Sequence, residues 1–69
     1  MSVVKVIELI DCSTKSWEEA TKNALAEAAK TIKNIKSIYV KNFSTNMENN
    51  QIVEYKANVK ISFGVGKEL

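Results

Sequence analysis

The 69-residue chain contains no histidine, no arginine and a single cysteine, Cys12. Without histidine it lacks the side chain that most often acts as a general base near neutral pH. A single cysteine cannot form an internal disulfide. Without histidine it also cannot form a structural zinc site or a Cys-His nucleophile. The only two glycines, Gly64 and Gly66, do not make a phosphate-binding loop. These absences predict that the protein is not an enzyme and holds no metal at a catalytic site.

Positive charge comes from lysine alone. Ten lysines are scattered among eight acidic residues, and the net charge is +2. Nucleic-acid-binding proteins usually present a basic stripe with arginine side chains, and this chain has neither feature. Lys33 and Lys36 lie near the end of the predicted helix and are interpreted as partners of the helix dipole in preference to a phosphate-binding pair. We therefore expect no nucleic-acid partner.

Long apolar segments are also missing. No segment approaches the ~20 apolar residues that a membrane-spanning helix needs. The first residues lack the basic region and the long apolar region of a signal peptide. A single unpaired thiol suits a reducing compartment. The sequence therefore predicts a cytoplasmic protein without a membrane partner.

The clearest pattern that is present is an unbroken alternation of apolar and polar residues from 52 to 65. One face of this segment consists of Val53, Tyr55, Ala57, Val59, Ile61, Phe63 and Val65. A period of two predicts a β-strand buried on one side, which is about 46 Å long at ~3.3 Å per residue. The predicted helix has about 18 residues and spans about 27 Å at ~1.5 Å per residue. One helix cannot cover that face, so we expect the subunit to complete its core against copies of itself.

The elements before this strand predict a single α+β domain over residues 1–69. Residues 3–10 predict a first strand, and residues 37–47 a second. Between them, Ser16 and Glu19 form a capping box at the start of a helix that Asn34 is expected to end. The apolar face of this helix comprises Trp17, Ala20, Ala24, Leu25, Ala28, Ile32 and Ile35. The order is β-α-β-β, a three-stranded antiparallel sheet with one helix on one face, in which the first strand pairs with the third.

Four polar or reactive side chains are candidates for a catalytic role. Glu8, Glu54 and Lys56 lie on predicted strands and are interpreted as solvated charges on the sheet surface. Cys12 is interpreted as a small residue at a strand end, because no histidine is present to activate it. We therefore predict that none of these side chains is catalytic.

Three aromatic residues have more than one interpretation. Trp17 either packs as a hydrophobic staple at the helix start, contacts a neighbouring subunit or stacks on a ligand. Tyr39 and Phe43 are predicted on the same side of the second strand. There they either form the floor of a ligand pocket or pack against another subunit.

Four segments, in the same order along the chain, resemble the dodecin family. They are Val4–Ile10, Ser16–Ala20, Ala28–Ile35, and Val53–Tyr55 followed by Val59–Phe63. The resemblance covers nearly the whole chain without an obvious insertion. It implies a β-α-β-β subunit that associates with itself into a hollow homododecamer. It further implies binding and storage of a small ligand, for which flavin (riboflavin or FMN) is the candidate cofactor.

The residues at the flavin-contacting positions of the family differ in this chain. Ser37 lies where flavin-binding dodecins have a tryptophan that stacks on the ring, and Lys56 where they have a glutamine that bonds the ring edge. Ser44 and Thr45 replace an Arg-Gly pair. The predicted ligand-binding residues are thus Ser37, Ser44 and Lys56, with Tyr39 as a partial substitute for the stacking ring. The alternative is a shell that binds no flavin and holds another small molecule or an ion, or serves as a scaffold.

Overall fold

A computed structural model of the chain describes residues 3–65. The elements are β1 (Val3–Ser13), α1 (Trp17–Ala29), β2 (Ile35–Glu48) and β3 (Gln51–Val65). The strands form one antiparallel sheet in the order β1-β3-β2. The predicted α+β fold is therefore confirmed, including the pairing of the first strand with the third. Residues 1, 2 and 66–69 of the predicted domain lie outside the described residues.

The start of α1 follows from the capping residues. Ser16 is the N-cap, and its Oγ accepts a hydrogen bond from the backbone N–H of Glu19 at 3.0 Å. The carboxylate of Glu19 accepts a hydrogen bond from the hydroxyl of Ser13 at 3.1 Å. Ser13 is the last residue of β1, which continues three residues beyond the strand predicted for residues 3–10. The capping residues therefore also fix the helix start to the end of the strand.

The end of α1 differs from the prediction. The helix has 13 residues and ends at Ala29 with Lys30 as its C-cap, so it is one turn or more shorter than expected. Asn34 has a φ of 61°, which no right-handed helix accommodates, and its carbonyl accepts a hydrogen bond from Gly64 of β3 at 3.0 Å. Lys33 and Lys36 follow the helix, and the expectation that they complement its dipole is wrong.

The core between helix and sheet is small. It consists of Ala20, Ala24 and Ala28 of α1 packed on Ala57, Val59 and Ile61 of β3. Alanine allows the helix to approach the sheet closely, but it contributes little apolar area. Partly buried residues surround this core: Ile7, Leu9, Ile32, Ile35, Ile38 and Val40. The helix thus covers only the middle of the apolar face that the sequence predicted for β3.

The other face of the sheet is not covered by any helix or strand of residues 3–65. Strand register places the following side chains on this open face: Val4, Val6, Glu8, Ile10 and Cys12 of β1, Ser37, Tyr39, Asn42, Ser44 and Asn46 of β2, and Glu54, Lys56, Asn58, Lys60 and Ser62 of β3. Val6, Ile10 and Tyr39 are 58%, 63% and 63% exposed. The described residues form a flat body of 52 × 19 × 13 Å. A single subunit therefore leaves large apolar side chains in contact with water.

A β-bulge in β2 changes which residues share a face. Val40 lies opposite Val59 and Asn42 opposite Asn58, so Lys41 is an extra residue. Tyr39 consequently lies on the open face, whereas Phe43, opposite Ala57, lies on the helix side. The prediction that Tyr39 and Phe43 share one side of the strand is wrong, because one inserted residue reverses the alternation.

The hairpin between β2 and β3 turns over two residues, Asn49 and Asn50, with φ values of 51° and 63°. Two successive positive φ values are the requirement of a type I′ turn, whose twist matches that of the adjoining strands. Glu48 and Gln51, which flank the turn, are the last residue of β2 and the first of β3. Asparagine tolerates the left-handed region better than other residues with a Cβ.

We expect Asn50→Gly to raise the free energy of unfolding by less than about 1 kcal/mol, because glycine has no Cβ to oppose a positive φ. Asn50→Ala is the matched control and should lower it by about 1 kcal/mol. Urea unfolding midpoints at one fixed protein concentration measure both changes. Equal stability of the two variants would contradict the turn assignment.

Candidate functional site

The four predicted ligand-binding residues all lie on the open face. Ser37 faces Ser62 of β3, and their hydroxyl oxygens are 2.6 Å apart. Tyr39 lies opposite Lys60, two residues further along each strand. The lysine and the ring are therefore neighbours, and Ser37 is already committed to a hydrogen bond within the sheet.

Ser44 and Lys56 form the second half of the predicted site. They lie directly opposite each other in the β2–β3 ladder. Six ladder positions separate them from Ser37, which corresponds to about 20 Å at ~3.3 Å per residue. One subunit therefore brings Ser37 near Tyr39 and Ser44 near Lys56, but it does not bring the two pairs together.

Trp17 packs on the helix side of the sheet. Its ring centroid is 5.8 Å from that of Phe43 and 5.2 Å from that of Tyr55, the latter in a T-shaped arrangement. Its Nε1–H donates a hydrogen bond to the carbonyl oxygen of Ser44 at 3.0 Å. Of the three interpretations, the structure supports the staple: Trp17 joins the start of α1 to the β2–β3 hairpin. It also fixes the backbone that carries the Ser44 side chain.

A polar cluster that the sequence did not predict surrounds Cys12. Cys12 pairs with Lys56 in the β1–β3 ladder, and its thiol donates a hydrogen bond to the carboxylate of Glu54. Glu54 also accepts a hydrogen bond from the side-chain amide of Asn46 at 2.8 Å. The hydrogen bond to Glu54 raises the pKa of the Cys12 thiol, and the same bond, with that from Asn46, lowers the pKa of Glu54.

The signal for this cluster was present in the alternation of β3, which places Glu54 and Lys56 on one face. What the sequence did not provide was the register that brings Cys12 beside them. The raised pKa means that Cys12 is less ionised at neutral pH than an ordinary cysteine, and the thiolate is the nucleophilic form. The cluster therefore makes Cys12 a weak nucleophile.

We expect Glu54→Gln to accelerate alkylation of Cys12 by iodoacetamide at pH 8. Without the carboxylate, the thiol pKa falls towards its ordinary value, so more thiolate is present at the same pH. Asp11→Asn is the matched control and should have a smaller effect, because Asp11 raises the pKa of Cys12 through charge alone and more weakly. The rate is followed by mass spectrometry. An unchanged rate in Glu54→Gln would mean that Glu54 does not hold the proton on Cys12.

An ion pair joins the two edge strands across β3. Lys41 Nζ, from the bulge in β2, lies 2.9 Å from Glu8 Oε2 in β1. The hydrogen bond from Lys41 lowers the pKa of Glu8, and the charges of Lys41 and Lys60 act in the same direction. Both members of the pair are about half exposed.

Metal-binding and membrane-spanning features are absent from residues 3–65. In this part of the chain no three carboxylate, cysteine or histidine side chains lie close enough together to hold a metal ion. Residues 3–65 of one subunit enclose no pocket. The one helix they contain is too short and too polar to cross a membrane. The candidate site is thus a surface, formed by the open face of the sheet.

The β-α-β-β order of elements and the exposed sheet face agree with those of a known protein family. The family model for dodecins matches residues 3–66. The chain belongs to the dodecin family. The resemblance found in the sequence is therefore confirmed over almost the whole dodecin-like domain.

Solved dodecin structures have the same fold. An arginine-to-alanine variant of the dodecin from Thermus thermophilus superposes with a TM-score of 0.91 at 27% identity, covering 97% of this chain and 100% of that chain. The dodecin from Streptomyces davaonensis gives a TM-score of 0.90 at 18% identity, covering 96% and 97%. The dodecin from Streptomyces coelicolor gives 0.91 at 19% identity, covering 97% and 96%. No curated protein sequence matches this chain.

The surface chemistry of this dodecin nevertheless differs from that of its structural neighbours. Crystal structures of the T. thermophilus dodecin include variants in which single arginine and tryptophan residues were replaced. This chain has no arginine, so another residue type stands at each of those arginine positions. Its one tryptophan, Trp17, packs under the hairpin. The fold is shared, whereas the arginine side chains of the T. thermophilus protein have no counterpart in this chain.

Proposed function

We propose that this dodecin is a cytoplasmic, non-enzymatic protein that assembles into a hollow homododecamer and binds and stores a flat aromatic ligand. Flavin, as riboflavin or FMN, is the first candidate ligand. Membership of the dodecin family over residues 3–66 is the observation that carries the proposal. The whole chain, residues 1–69, acts as one domain of the shell.

Self-association is supported by what one subunit leaves uncovered. Among residues 3–65 only six form the buried core, and the largest of them are Ile61 and Val59. More than half of the surface of Val4, Val6 and Ile10 stays exposed on the open face. Burial of such side chains is the main favourable term in association. A chain of this length with so small a core depends on further burial, and copies of the same chain supply it in an oligomer.

Storage without turnover is supported by the chemistry of the open face. Around Ser37 and Tyr39 the available groups are hydroxyls and the amine of Lys60; around Ser44 they are a thiol, a carboxylate and the amine of Lys56. The chain has no histidine, and the pKa of the one thiol is raised. Such groups bind and orient a ring, but they do not form an activated nucleophile with a base.

A second candidate function is a shell that binds no flavin and holds another small molecule or an ion, or acts as a scaffold. It is favoured by Ser37 and Lys56, which replace the stacking ring and the amide of flavin-binding dodecins. The hydroxyl of Ser37 is bonded to Ser62 and not directed to a ligand. A lysine at the second position suits a phosphate or a carboxylate.

Two measurements on the purified protein test the proposal. Light scattering after gel filtration should give twelve times the subunit mass of 7.7 kDa, and a folded monomer would contradict the assembly. Fluorescence titration should show saturable quenching of riboflavin or FMN. Assembly without any flavin quenching would reject the flavin function and support the second candidate. The visible absorbance of freshly purified protein shows independently whether a flavin is retained.

A further inference from the structure

The geometry points to a ligand subsite at the centre of the open face, formed by Tyr39, Asn58 and Lys60, for a planar heterocycle with an imide edge. In this subsite Tyr39 stacks on the ring, Asn58 accepts the imide N–H and Lys60 donates to the neighbouring ring carbonyl. The inference deepens the proposed function and rests on it, because it specifies which residues hold the ligand and which part of the ligand they recognise.

Asn58 is the first observation. It lies in the middle of the central strand, between Ile10 of β1 and Asn42 of β2. Its Oδ1 is shielded from solvent and has no hydrogen-bond partner among residues 3–65. An unsatisfied buried acceptor is unfavourable, and the few that occur in native proteins call for an explanation. Because Oδ1 accepts no hydrogen bond, the Asn58 side chain can rotate towards a ligand without losing one there. A ligand N–H that donates to Oδ1 would then satisfy this atom.

Tyr39 is the second observation. Its ring is 63% exposed on the same face, opposite Lys60 in the ladder. Asn58 is two residues from Lys60 and is therefore the diagonal neighbour of Tyr39. Diagonal neighbours have Cβ atoms roughly 7–8 Å apart, within the reach of an aromatic side chain. A ring stacked on Tyr39 can thus extend one edge to Asn58 and Lys60.

The hydrogen-bonding pattern of the pair selects the ligand class. The amide oxygen of Asn58 is an acceptor, and the ammonium of Lys60 is a donor only. An imide edge presents an N–H beside a carbonyl, which complements this pair. Flavins have such an edge, and so do other flat heterocycles that contain a uracil-like ring. The family-type position two residues away, Lys56, offers no acceptor for an N–H when it is charged.

The Glu8–Lys41 ion pair determines access to the subsite. Glu8 is level with Lys60, and Lys41 is the bulge residue just before Asn42, so the pair crosses β3 between the levels of Lys60 and Asn58. It spans two strand spacings, about 10 Å. Both side chains are partly exposed, and an ion pair of this kind contributes little to stability. A ring that contacts both Asn58 and Lys60 therefore displaces the pair at a small cost.

The first test changes the probe and uses the wild-type assembly. Riboflavin and 3-methylriboflavin, which carries a methyl group in place of the imide hydrogen, are titrated by fluorescence under the same conditions. We expect the methylated probe to bind about tenfold more weakly, because it has no imide N–H to donate to the amide oxygen of Asn58. Equal affinities would overturn the inference while leaving the proposed function intact. Absence of binding by either probe would overturn both, so the two failures are distinguishable.

The second test changes the protein. Asn58→Leu should bind riboflavin about tenfold more weakly than the wild type and should no longer distinguish the two probes. Tyr39→Leu should weaken both probes equally, because stacking does not involve the imide hydrogen. Asn46→Leu is the matched control: it is the same substitution on the same face, four ladder positions from Asn58, and it should leave both affinities at the wild-type values. Lys56→Met tests the family-type position. Discrimination lost in Lys56→Met and retained in Asn58→Leu would place the imide edge at the family-type position and overturn the inference.

Discussion

Trp17→Ala should lower the free energy of unfolding by about 2–3 kcal/mol. Removal of a fully buried tryptophan typically costs about 3–5 kcal/mol, and the side chain of Trp17 is 40% exposed. The variant loses the contacts with Phe43 and Tyr55 together with the hydrogen bond to the Ser44 carbonyl. In a domain of this size the thermal midpoint should fall by about 10 °C or more.

Two controls separate the contributions of Trp17. Trp17→Phe keeps an aromatic ring but no Nε1–H, and we expect it to lose about 1 kcal/mol for the missing hydrogen bond. Leu25→Ala truncates a residue of the same helix that is 38% exposed, and its loss should be smaller than that of Trp17→Ala. Midpoints must be compared at one protein concentration, because association contributes to stability. A Trp17→Ala midpoint no lower than that of Leu25→Ala would contradict the staple.

Ser37→Trp should increase the affinity for riboflavin by about 5- to 100-fold. A stacked aromatic ring contributes about 1–3 kcal/mol per base in nucleic-acid complexes, and a flavin ring offers a comparable π-face. Ser37 lies two residues from Tyr39 on the open face, so the new indole extends the aromatic surface that this tyrosine begins.

Fluorescence titration with riboflavin measures this gain, and stronger quenching should accompany it. Ser62→Ala is the control: it removes the Ser37–Ser62 hydrogen bond without adding a ring, and it should leave the affinity near that of the wild type. If Ser37→Trp assembles normally but binds no better than the wild type, Ser37 does not occupy the stacking position and its correspondence with the family tryptophan is wrong.

The sequence predicted the elements well where the signal is local. Alternation from residue 52 to 65 predicted β3, which begins only one residue earlier, and the capping pattern at Ser16 predicted the helix start at Trp17. The helix end was predicted too late, because Ile32 continues the helical period. In the structure Ile32 lies beyond α1 and packs against the core, and Asn34 turns the chain into the sheet. Helical periodicity does not distinguish these two environments.

The candidate site was predicted in part. Residues 37, 39, 44 and 56 were identified through the resemblance to dodecins, and all four lie on the open face. Their function as ligand contacts stays a prediction. The sequence did not indicate the bulge at Lys41, which separates Tyr39 from Phe43, because lysine is compatible with either face of a strand. It also did not indicate Asn58, since an asparagine in an alternating strand is ordinarily a solvated residue.

By itself, the sequence determined the element types, the strand pairing, the dodecin family and the absence of histidine- and arginine-based chemistry. These features depend on residue identity and short-range spacing, which a single chain displays directly. Only the tertiary structure decided which groups meet on the open face: the thiol of Cys12 with Glu54, Lys41 with Glu8, and Tyr39 beside Lys60 and Asn58. Strand register and one inserted residue set those neighbours, and both arise from how the twisted strands fit together across the whole sheet.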